Sequence, residues 1–210
     1  MRPTSPASAD TRFTSLRNVL SEWEEAPSPA FHESEDRVHA AVSLILRSGP
    51  ELEVLLIRRA EAEGDPWSGQ MALPGGRRDP SDTSLLQTAM RETAEETSVF
   101  LGEGGVHLGR LEPAIPATTR LPPITIFPYV FGVPMGTEAR VSSREVDEVL
   151  WVPLADLQKP GATGTIEIHY GDNNSRAFPC MRFEGRVIWG LTFRILTGLF
   201  EILHTTRPAH

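Results

Sequence analysis

The chain has 210 residues, 40% of them hydrophobic and 23% charged, which is an ordinary composition for a globular protein with a sizeable core. Its formal net charge at pH 7 is −8. It contains no basic run and no nucleic-acid-binding motif, so we expect no nucleic acid polymer as a partner. The single cysteine, Cys180, excludes an intrachain disulfide, and no apolar secretion signal follows Met1. Both observations favour a cytoplasmic protein.

Near the start of the chain, prolines at positions 3, 6, 27 and 29 flank a stretch in which apolar residues recur at helical spacing. This stretch predicts a helix from about Thr11 to Glu25. We interpret residues 1–30 as a loose segment with one docked helix, and residues 31–210 as the main domain. The apolar positions of the helix are Phe13, Leu16, Val19, Leu20 and Trp23.

The main domain alternates apolar strands with two longer helices, a pattern that predicts an α/β fold with helices packed on a mixed sheet. We expect helices from about Ser84 to Ser98 and from Trp189 to Leu203, and a helical turn from Leu154 to Leu157. The predicted strands are Val38–Leu46, Leu52–Ile57, Trp67–Leu73, Val106–Leu111, Ile124–Val133, Val146–Val152, Thr165–Tyr170 and Ala177–Phe183.

The last helix is apolar almost all round, but Arg194 and Glu201 interrupt it. It is shorter than the roughly 18 residues that a membrane span requires, so we expect no membrane association. Burial in the core is the first interpretation of this helix. A contact between two copies, giving a homodimer, is the second.

The helix that begins near Ser84 concentrates negative charge on one arc. Glu92, Glu95 and Glu96 are i, i+3 and i+4 neighbours, where each like-charge pair costs about 0.2 to 0.5 kcal/mol. Arg91 can pair with Glu95, but one cation does not neutralise three carboxylates beside an apolar face. An all-oxygen set of ligands favours Mg²⁺ or Mn²⁺ over zinc. The alternative is an exposed, solvated acidic face.

The start of this helix has its own signals. Ser84 and Gln87 have the spacing of a capping box, and Asp82 favours the positive end of the helix dipole. Just upstream, the paired glycines Gly75 and Gly76 allow a sharp turn that brings backbone groups close to a metal or a phosphate.

The turn and the helix together resemble the Nudix hydrolase family. The box of that family runs Gly, five residues, Glu, seven residues, Arg-Glu, apolar, any, Glu-Glu, any, Gly, apolar. Asp82 stands at the first Glu with one extra residue before Arg91, as in the coenzyme A pyrophosphatase branch, and Ser98 replaces the second Gly. A serine in a left-handed cap costs on the order of 1 kcal/mol. The matching positions are Gly76, Arg91, Glu92, Glu95, Glu96 and Val99.

Three further segments resemble sequence motifs of the coenzyme A branch and occur in the same order along the chain. They are Leu55-Leu56-x-Arg58, Ser68-Gly69-Gln70 before Leu73-Pro74-Gly75-Gly76, and Ile188-Trp189-Gly190-Leu191-Thr192. The basic and histidine residues that this branch usually has before Gly-Gln are absent, because Glu63, Asp65, Pro66 and Trp67 stand there.

The resemblance implies a Nudix-type α/β/α sandwich, with a mixed β-sheet, a central catalytic helix and a C-terminal helix. It also implies a hydrolase that uses Mg²⁺ or Mn²⁺ to cleave a pyrophosphate bond in a small nucleotide-type substrate, a nucleoside diphosphate linked to another moiety. Coenzyme A or an acyl-coenzyme A comes first, and ADP-ribose, diadenosine polyphosphates and nucleoside triphosphates are alternatives. A non-catalytic nucleotide-binding module is the alternative of another class.

Residue by residue, the resemblance makes Glu92, Glu95, Glu96 and the Gly76 carbonyl metal ligands, with Arg91 orienting the carboxylates. Glu145 is preferred over Glu148 as general base.

Binding of substrate is assigned to Arg58, Arg77 and Gly75. Arg59 and Arg78 are expected to point to solvent, and Arg120 is a further member of the basic patch.

Overall fold

The computed structural model describes residues 7, 10–25, 38–64, 67–116, 123–169 and 175–205. Arg120, Asp65, Pro66, Tyr170 and the four N-terminal prolines lie outside these residues. The elements are α1 Thr11–Glu25, β1 Val38–Arg47, β2 Glu53–Arg59, β3 Met71–Ala72, β4 Gly75–Arg77, α2 Leu85–Thr97, β5 Val106–Arg110, β6 Ile124–Val133, β7 Val146–Pro153, α3 Leu154–Leu157, β8 Thr163–His169, β9 Ser175–Phe183, β10 Arg186–Trp189 and α4 Gly190–Thr205.

The larger sheet has seven strands in the order β3-β2-β1-β6-β5, with β4 also paired to β1 and β7 also paired to β2. Strands β1 and β6 run parallel along their whole length, and the other pairs are antiparallel. Strands β8, β9 and β10 form a second, three-stranded sheet. The predicted mixed sheet is therefore confirmed.

One edge of β1 is shared between two partners. Ala40, Ala41 and Val42 pair with β4, whereas Leu46 and Arg47 pair with β2. The sheet therefore opens between β4 and β2, and α2 packs across β1 and β4 at this opening.

The sheet is covered on both faces, because alternate residues of each strand pack into different clusters. One cluster joins Leu44, Val54 and Leu56 to α1 and α4, and a second joins Ile45 and Leu55 to residues around α2. The predicted α/β/α sandwich is confirmed, and so is the burial of α4, whose Ile195, Leu196, Leu199, Phe200 and Ile202 belong to the first cluster.

Helix α1 has the predicted bounds and is part of this core. Phe13, Leu16 and Leu20 are almost completely buried. A Cβ on Gly132 of β6 would lie 2.6 Å from the Phe13 ring, and one on Gly109 of β5 would lie 2.6 Å from Leu20 Cβ. Two glycines in the sheet therefore leave the space into which the helix docks. The side chain of Trp23 lies outside the described residues.

Three segments differ from the prediction. The strand predicted over Trp67–Leu73 is limited to β3, Met71–Ala72. The glycine turn is a strand, β4, because its backbone pairs with β1. Trp189 ends strand β10 rather than opening the last helix, which begins at Gly190, a residue with a φ of +64°. In the described part of the chain, no helix has the length and apolar character needed to cross a bilayer.

Candidate active site

Helix α2 begins at a side-chain cap and ends at a residue in the left-handed conformation. Ser84 Oγ accepts a hydrogen bond from the Gln87 N–H, as the capping-box spacing predicts. The reciprocal bond is shifted by one residue, because Gln87 Oε1 accepts from both Thr83 N and Thr83 Oγ1. At the other end Ser98 is left-handed, with φ of 56° and ψ of 20°, and its N–H donates to the Ala94 carbonyl. The helix tolerates the strain of a serine at this position.

Arg91 is held by a buried aspartate upstream of the helix. Asp82 is 3% exposed, and its carboxylate accepts bonds from Arg91 Nε at 3.1 Å and Nη2 at 3.0 Å. Asp82 also accepts from Asp79 N and Thr88 Oγ1. The Arg91 bond is the main reason that the pKa of Asp82 is lowered to about 2. This pair ties the loop after β4 to the helix.

The same guanidinium reaches two of the three clustered glutamates. Arg91 Nη1 lies 3.0 Å from Glu92 Oε1 and 3.1 Å from Glu95 Oε2. The side chain of Glu95 is 57% exposed. Arg91 Nη2 also lies 3.3 Å from the Arg77 carbonyl oxygen. Arg91 therefore orients Glu92 and Glu95 while Asp82 orients Arg91.

Glu92 and Glu96 face the two glycines of β4. A Cβ on Gly76 would lie 2.5 Å from the Glu92 carboxyl carbon, so a side chain there would displace this carboxylate. The N–H of Gly75 donates to Glu96 Oε2 at 2.8 Å. Gly75 has a φ of +153°, and a Cβ there would lie 2.3 Å from the Ala41 carbonyl oxygen. Glycine is therefore required at position 75 by the close approach of two backbones, and at position 76 it leaves the observed place of Glu92 open.

Glu145 comes to this place on a loop that is bonded to the helix. Arg140 N–H donates to the Thr97 carbonyl at 3.0 Å, and Ser142 N–H donates to the Glu96 carbonyl at 3.1 Å. Ala60 N–H donates to the carbonyl of Glu145 itself. Glu145 is exposed, and its negative charge contributes to the raised pKa values of Glu92 and Glu96, of which burial is the main cause.

The inner carboxylates are short of positive charge. Burial raises the pKa of Glu96 to about 8, and burial also raises that of Glu92. A divalent cation would supply the missing positive charge. Carboxylate and carbonyl oxygens are the ligands that Mg²⁺ and Mn²⁺ prefer. Within the described residues no three acidic, histidine or cysteine side chains are already grouped as a metal site. The donor chemistry fits a divalent cation, and ligation by Glu95 requires that carboxylate to leave Arg91.

The arginines at the end of β2 are arranged differently from the prediction. Leu55 packs on the α2 face of the sheet and Leu56 on the other, so alternation directs Arg59 to the α2 face and Arg58 away from it. Arg59 is half-buried, and its charge lowers the pKa of Glu96. The prediction that Arg59 points to solvent is wrong. Its neighbour Arg58 is exposed and lies 3.9 Å from Glu148.

The other predicted residues lie around this cluster. Arg77 and Arg78 are exposed, in agreement with the prediction for Arg78, and Arg78 Nη2 lies 3.3 Å from the Asp82 carbonyl oxygen. Glu148 is occupied by Arg186 of β10, which bonds it through Nε at 2.9 Å and through Nη2. This ion pair lowers the pKa of Glu148 and makes it a structural carboxylate.

Comparison with known proteins gave a match and several relatives. A family model described as "NUDIX domain" matches residues 37–169. An "Uncharacterized Nudix hydrolase NudL" of Yersinia enterocolitica is 34% identical over 164 residues, which is 78% of this chain and 80% of that protein. An uncharacterized protein of Schizosaccharomyces pombe is 36% identical over 129 residues, 60% of this chain, and the matched part spans 39% of its length.

Among solved structures, a Nudix hydrolase from M. smegmatis, RenU, is similar with a TM-score of 0.54. The alignment covers 83% of this chain and 90% of that chain at 19% sequence identity. This likeness concerns the fold alone.

The Asp82–Arg91 pair predicts a specific dependence of stability on pH. Because the folded-state pKa of Asp82 is about 2 and its ordinary value is 3.8, the pair stabilises the fold fully above pH 4, and this contribution is lost as the pH falls towards 2. Asp82→Asn should lower the free energy of unfolding by about 2 kcal/mol at pH 7. Urea unfolding of both proteins between pH 3 and 7 measures the difference. A difference in the free energy of unfolding that stays constant down to pH 3 contradicts the assignment. The absence of any difference at pH 7 contradicts it as well.

Proposed function

This chain belongs to the Nudix family of pyrophosphohydrolases, and we propose that it hydrolyses coenzyme A or an acyl-coenzyme A to 3′,5′-ADP and 4′-phosphopantetheine or its acyl derivative. The broader activity is hydrolysis of a nucleoside diphosphate linked to another moiety, and Nudix hydrolases generally use divalent metal ions for it. The observation that carries the proposal is the pair Glu92 and Glu96, the first half-buried and the second buried, held against the two glycines of β4.

The proposed metal ligands are Glu92, Glu95, Glu96 and the carbonyl of Gly76. When Mg²⁺ or Mn²⁺ is bound there, the chemistry it supplies is neutralisation of the diphosphate charge and polarisation of the phosphoryl oxygens. The burial of Glu96 and the partial burial of Glu92 strengthen these interactions, because the effective dielectric constant is lower there than in water. Arg91 orients Glu92 and Glu95.

Glu145 is the proposed general base. Its carbonyl is bonded to Ala60 and its loop is bonded to the end of α2, so the backbone holds it beside Glu92 and Glu96. In that position the carboxylate can accept the proton of the water that attacks phosphorus. Glu148 is the weaker candidate because Arg186 already neutralises it.

Arg59 is the cation that we propose to contact the diphosphate. Alternation along β2 puts it on the same face of the sheet as α2, and its charge contributes to lowering the pKa of Glu96. Arg77 and the backbone of Gly75 stay as proposed substrate contacts at the edge of β4. For Arg58 a contact with the substrate is disfavoured, because its side chain points away from the face of the sheet that carries α2.

The preference for coenzyme A is supported by where the branch segments lie. Gln70 of the Ser68-Gly69-Gln70 segment accepts the N–H of Arg59 through its carbonyl at 3.0 Å. Thr192, from the segment that opens α4, donates through Oγ1 to the Met71 carbonyl at 3.2 Å. Two segments about 120 residues apart along the chain thus meet beside the strand end that carries Arg59.

The proposed reaction is tested by product analysis. The purified protein is incubated with Mg²⁺ or Mn²⁺ and, separately, coenzyme A, acetyl-coenzyme A, ADP-ribose, a diadenosine polyphosphate and a nucleoside triphosphate, and the products are identified by mass spectrometry. We expect 3′,5′-ADP and 4′-phosphopantetheine from coenzyme A. Cleavage of another compound alone discards coenzyme A and keeps the reaction type. Binding without any cleavage identifies a nucleotide-binding module instead.

Removing the inner carboxylates should abolish turnover and metal binding together. The double variant Glu92→Gln with Glu96→Gln keeps the size of both side chains. We expect kcat to fall at least about a hundredfold, and the affinity for Mn²⁺ to fall together with it. Glu103→Gln with Glu201→Gln changes the net charge equally at two exposed positions and serves as the control. Wild-type turnover by the first double variant contradicts the metal-site assignment.

The two arginines of β2 provide a matched pair. Arg59→Ala should lower kcat/KM by about tenfold or more, because a charge-assisted contact to the diphosphate is lost, whereas Arg58→Ala should leave it within about twofold. Steady-state kinetics with the preferred substrate measures both. The opposite order of effects would return the role to Arg58.

A further inference from the structure

Ser43 connects the two elements that form the site. It is completely buried in β1, beneath α2. Its N–H donates to the Pro74 carbonyl at 2.8 Å, directly before the glycines of β4. Its Oγ donates to the Ala89 carbonyl of α2 at 3.0 Å. One residue thus bonds both the glycine strand and the helix that carries the glutamates.

Thr93 completes this contact from the helix. It is also completely buried, and its Oγ1 lies 2.8 Å from Ser43 Oγ and 2.8 Å from the Ala89 carbonyl oxygen. The two hydroxyls and the carbonyl therefore form a buried triangle, in which two hydroxyl protons are shared among three close contacts. Hydrogen bonds are directional, and the bonds that cross from α2 to β1 are those of Ser43 Oγ with the Ala89 carbonyl and of Thr93 Oγ1 with Ser43 Oγ.

The surrounding packing is apolar. Next to the triangle, the contact between β1 and α2 is made by the small side chains of Ala41 and Ala89 together with Leu85. Farther along, Leu86 and Met90 pack against the cluster that contains Ile45 of β1. Apolar burial is non-directional, whereas hydrogen bonds are directional. Glu92 precedes Thr93 directly, and Glu96 follows it by three residues, so a rotation at Thr93 moves both carboxylates.

We infer that Ser43 and Thr93 are positioning residues, which fix the rotation and height of α2 over β4 so that Glu92 meets Gly76 and Glu96 meets the N–H of Gly75. The inference rests on the proposed function for its kinetic consequence. Its structural content is that two buried hydroxyls determine where the carboxylates point. Of the two residues, Ser43 lies outside the family box.

The test compares variants with and without the hydroxyl. Thr93→Val removes the hydroxyl and keeps the shape, whereas Thr93→Ser keeps the hydroxyl and removes a methyl group. Ser43→Ala removes the other hydroxyl. Thr197→Val is the control, because Thr197 makes the same bond to an i−4 carbonyl in α4, to Phe193 at 2.9 Å. For each protein we measure kcat, KM, and Mn²⁺ affinity by electron paramagnetic resonance of the free ion.

For Thr93→Val and Ser43→Ala we expect kcat to fall about tenfold and the Kd for Mn²⁺ to rise about tenfold, with KM unchanged. Thr93→Ser and Thr197→Val should match the wild type in both kcat and the Kd for Mn²⁺. Equal impairment of Thr93→Ser and Thr93→Val overturns the inference, as does wild-type Mn²⁺ affinity in Thr93→Val and Ser43→Ala. Should one of these two variants fail to fold, the other decides.

The two proposals fail in different ways. A wild-type protein that binds Mn²⁺ but cleaves none of the substrates contradicts the proposed function, while the Mn²⁺ affinities of the variants still decide the role of the hydroxyls. A wild-type protein that binds no Mn²⁺ overturns both.

Discussion

The site depends on the absence of two side chains. Gly75 and Gly76 let strand β4 lie against β1 on one side and against the carboxylates of α2 on the other, at distances that a Cβ would not allow. The backbone N–H of Gly75 can then donate a hydrogen bond to the Glu96 carboxylate. A close approach of backbone to carboxylate is therefore the geometric basis of the site, and the neighbouring interactions serve to maintain it.

Charge is divided between the two sides of α2. Asp82 and Arg91 form an ion pair, and the same guanidinium contacts Glu95 and Glu92. Glu96 is buried and Glu92 is half-buried, and burial raises the pKa values of both. The ion pairs tie the loop to the helix, and the two inner carboxylates are the proposed cation ligands.

Much of this arrangement could be predicted from sequence, since it is local. The bounds of α1 and the Ser84 cap follow from residue spacing and backbone preferences within one helix, whereas the left-handed Ser98 goes against the backbone preference of serine. The likeness to a family box indicated which glutamates to consider. None of these features needs a contact between distant parts of the chain.

The remaining features are non-local. Strand β2 is apolar on both faces, from Val54 to Ile57, so its pattern does not say which face carries α2 or which of Arg58 and Arg59 points to that face. Strand β4 is mostly glycine, which has low strand propensity, and only its pairing with β1 makes it a strand. The bonds that bring Glu145 to the helix are made by backbone groups, which no residue pattern encodes.

The parallel pairing of β1 with β6 has a consequence for how the site is formed. Val38 pairs with Ile124, and the chain between them contains β2, β4 and α2. Closing so long a loop is entropically costly, and it is compensated only when the enclosed elements pack as well. An isolated peptide with the sequence of α2 would carry the glutamates without their geometry. Assembly of the site is thus coupled to the cooperative folding of the whole sheet, and loss of cation affinity on denaturation should coincide with loss of the β1–β6 pairing.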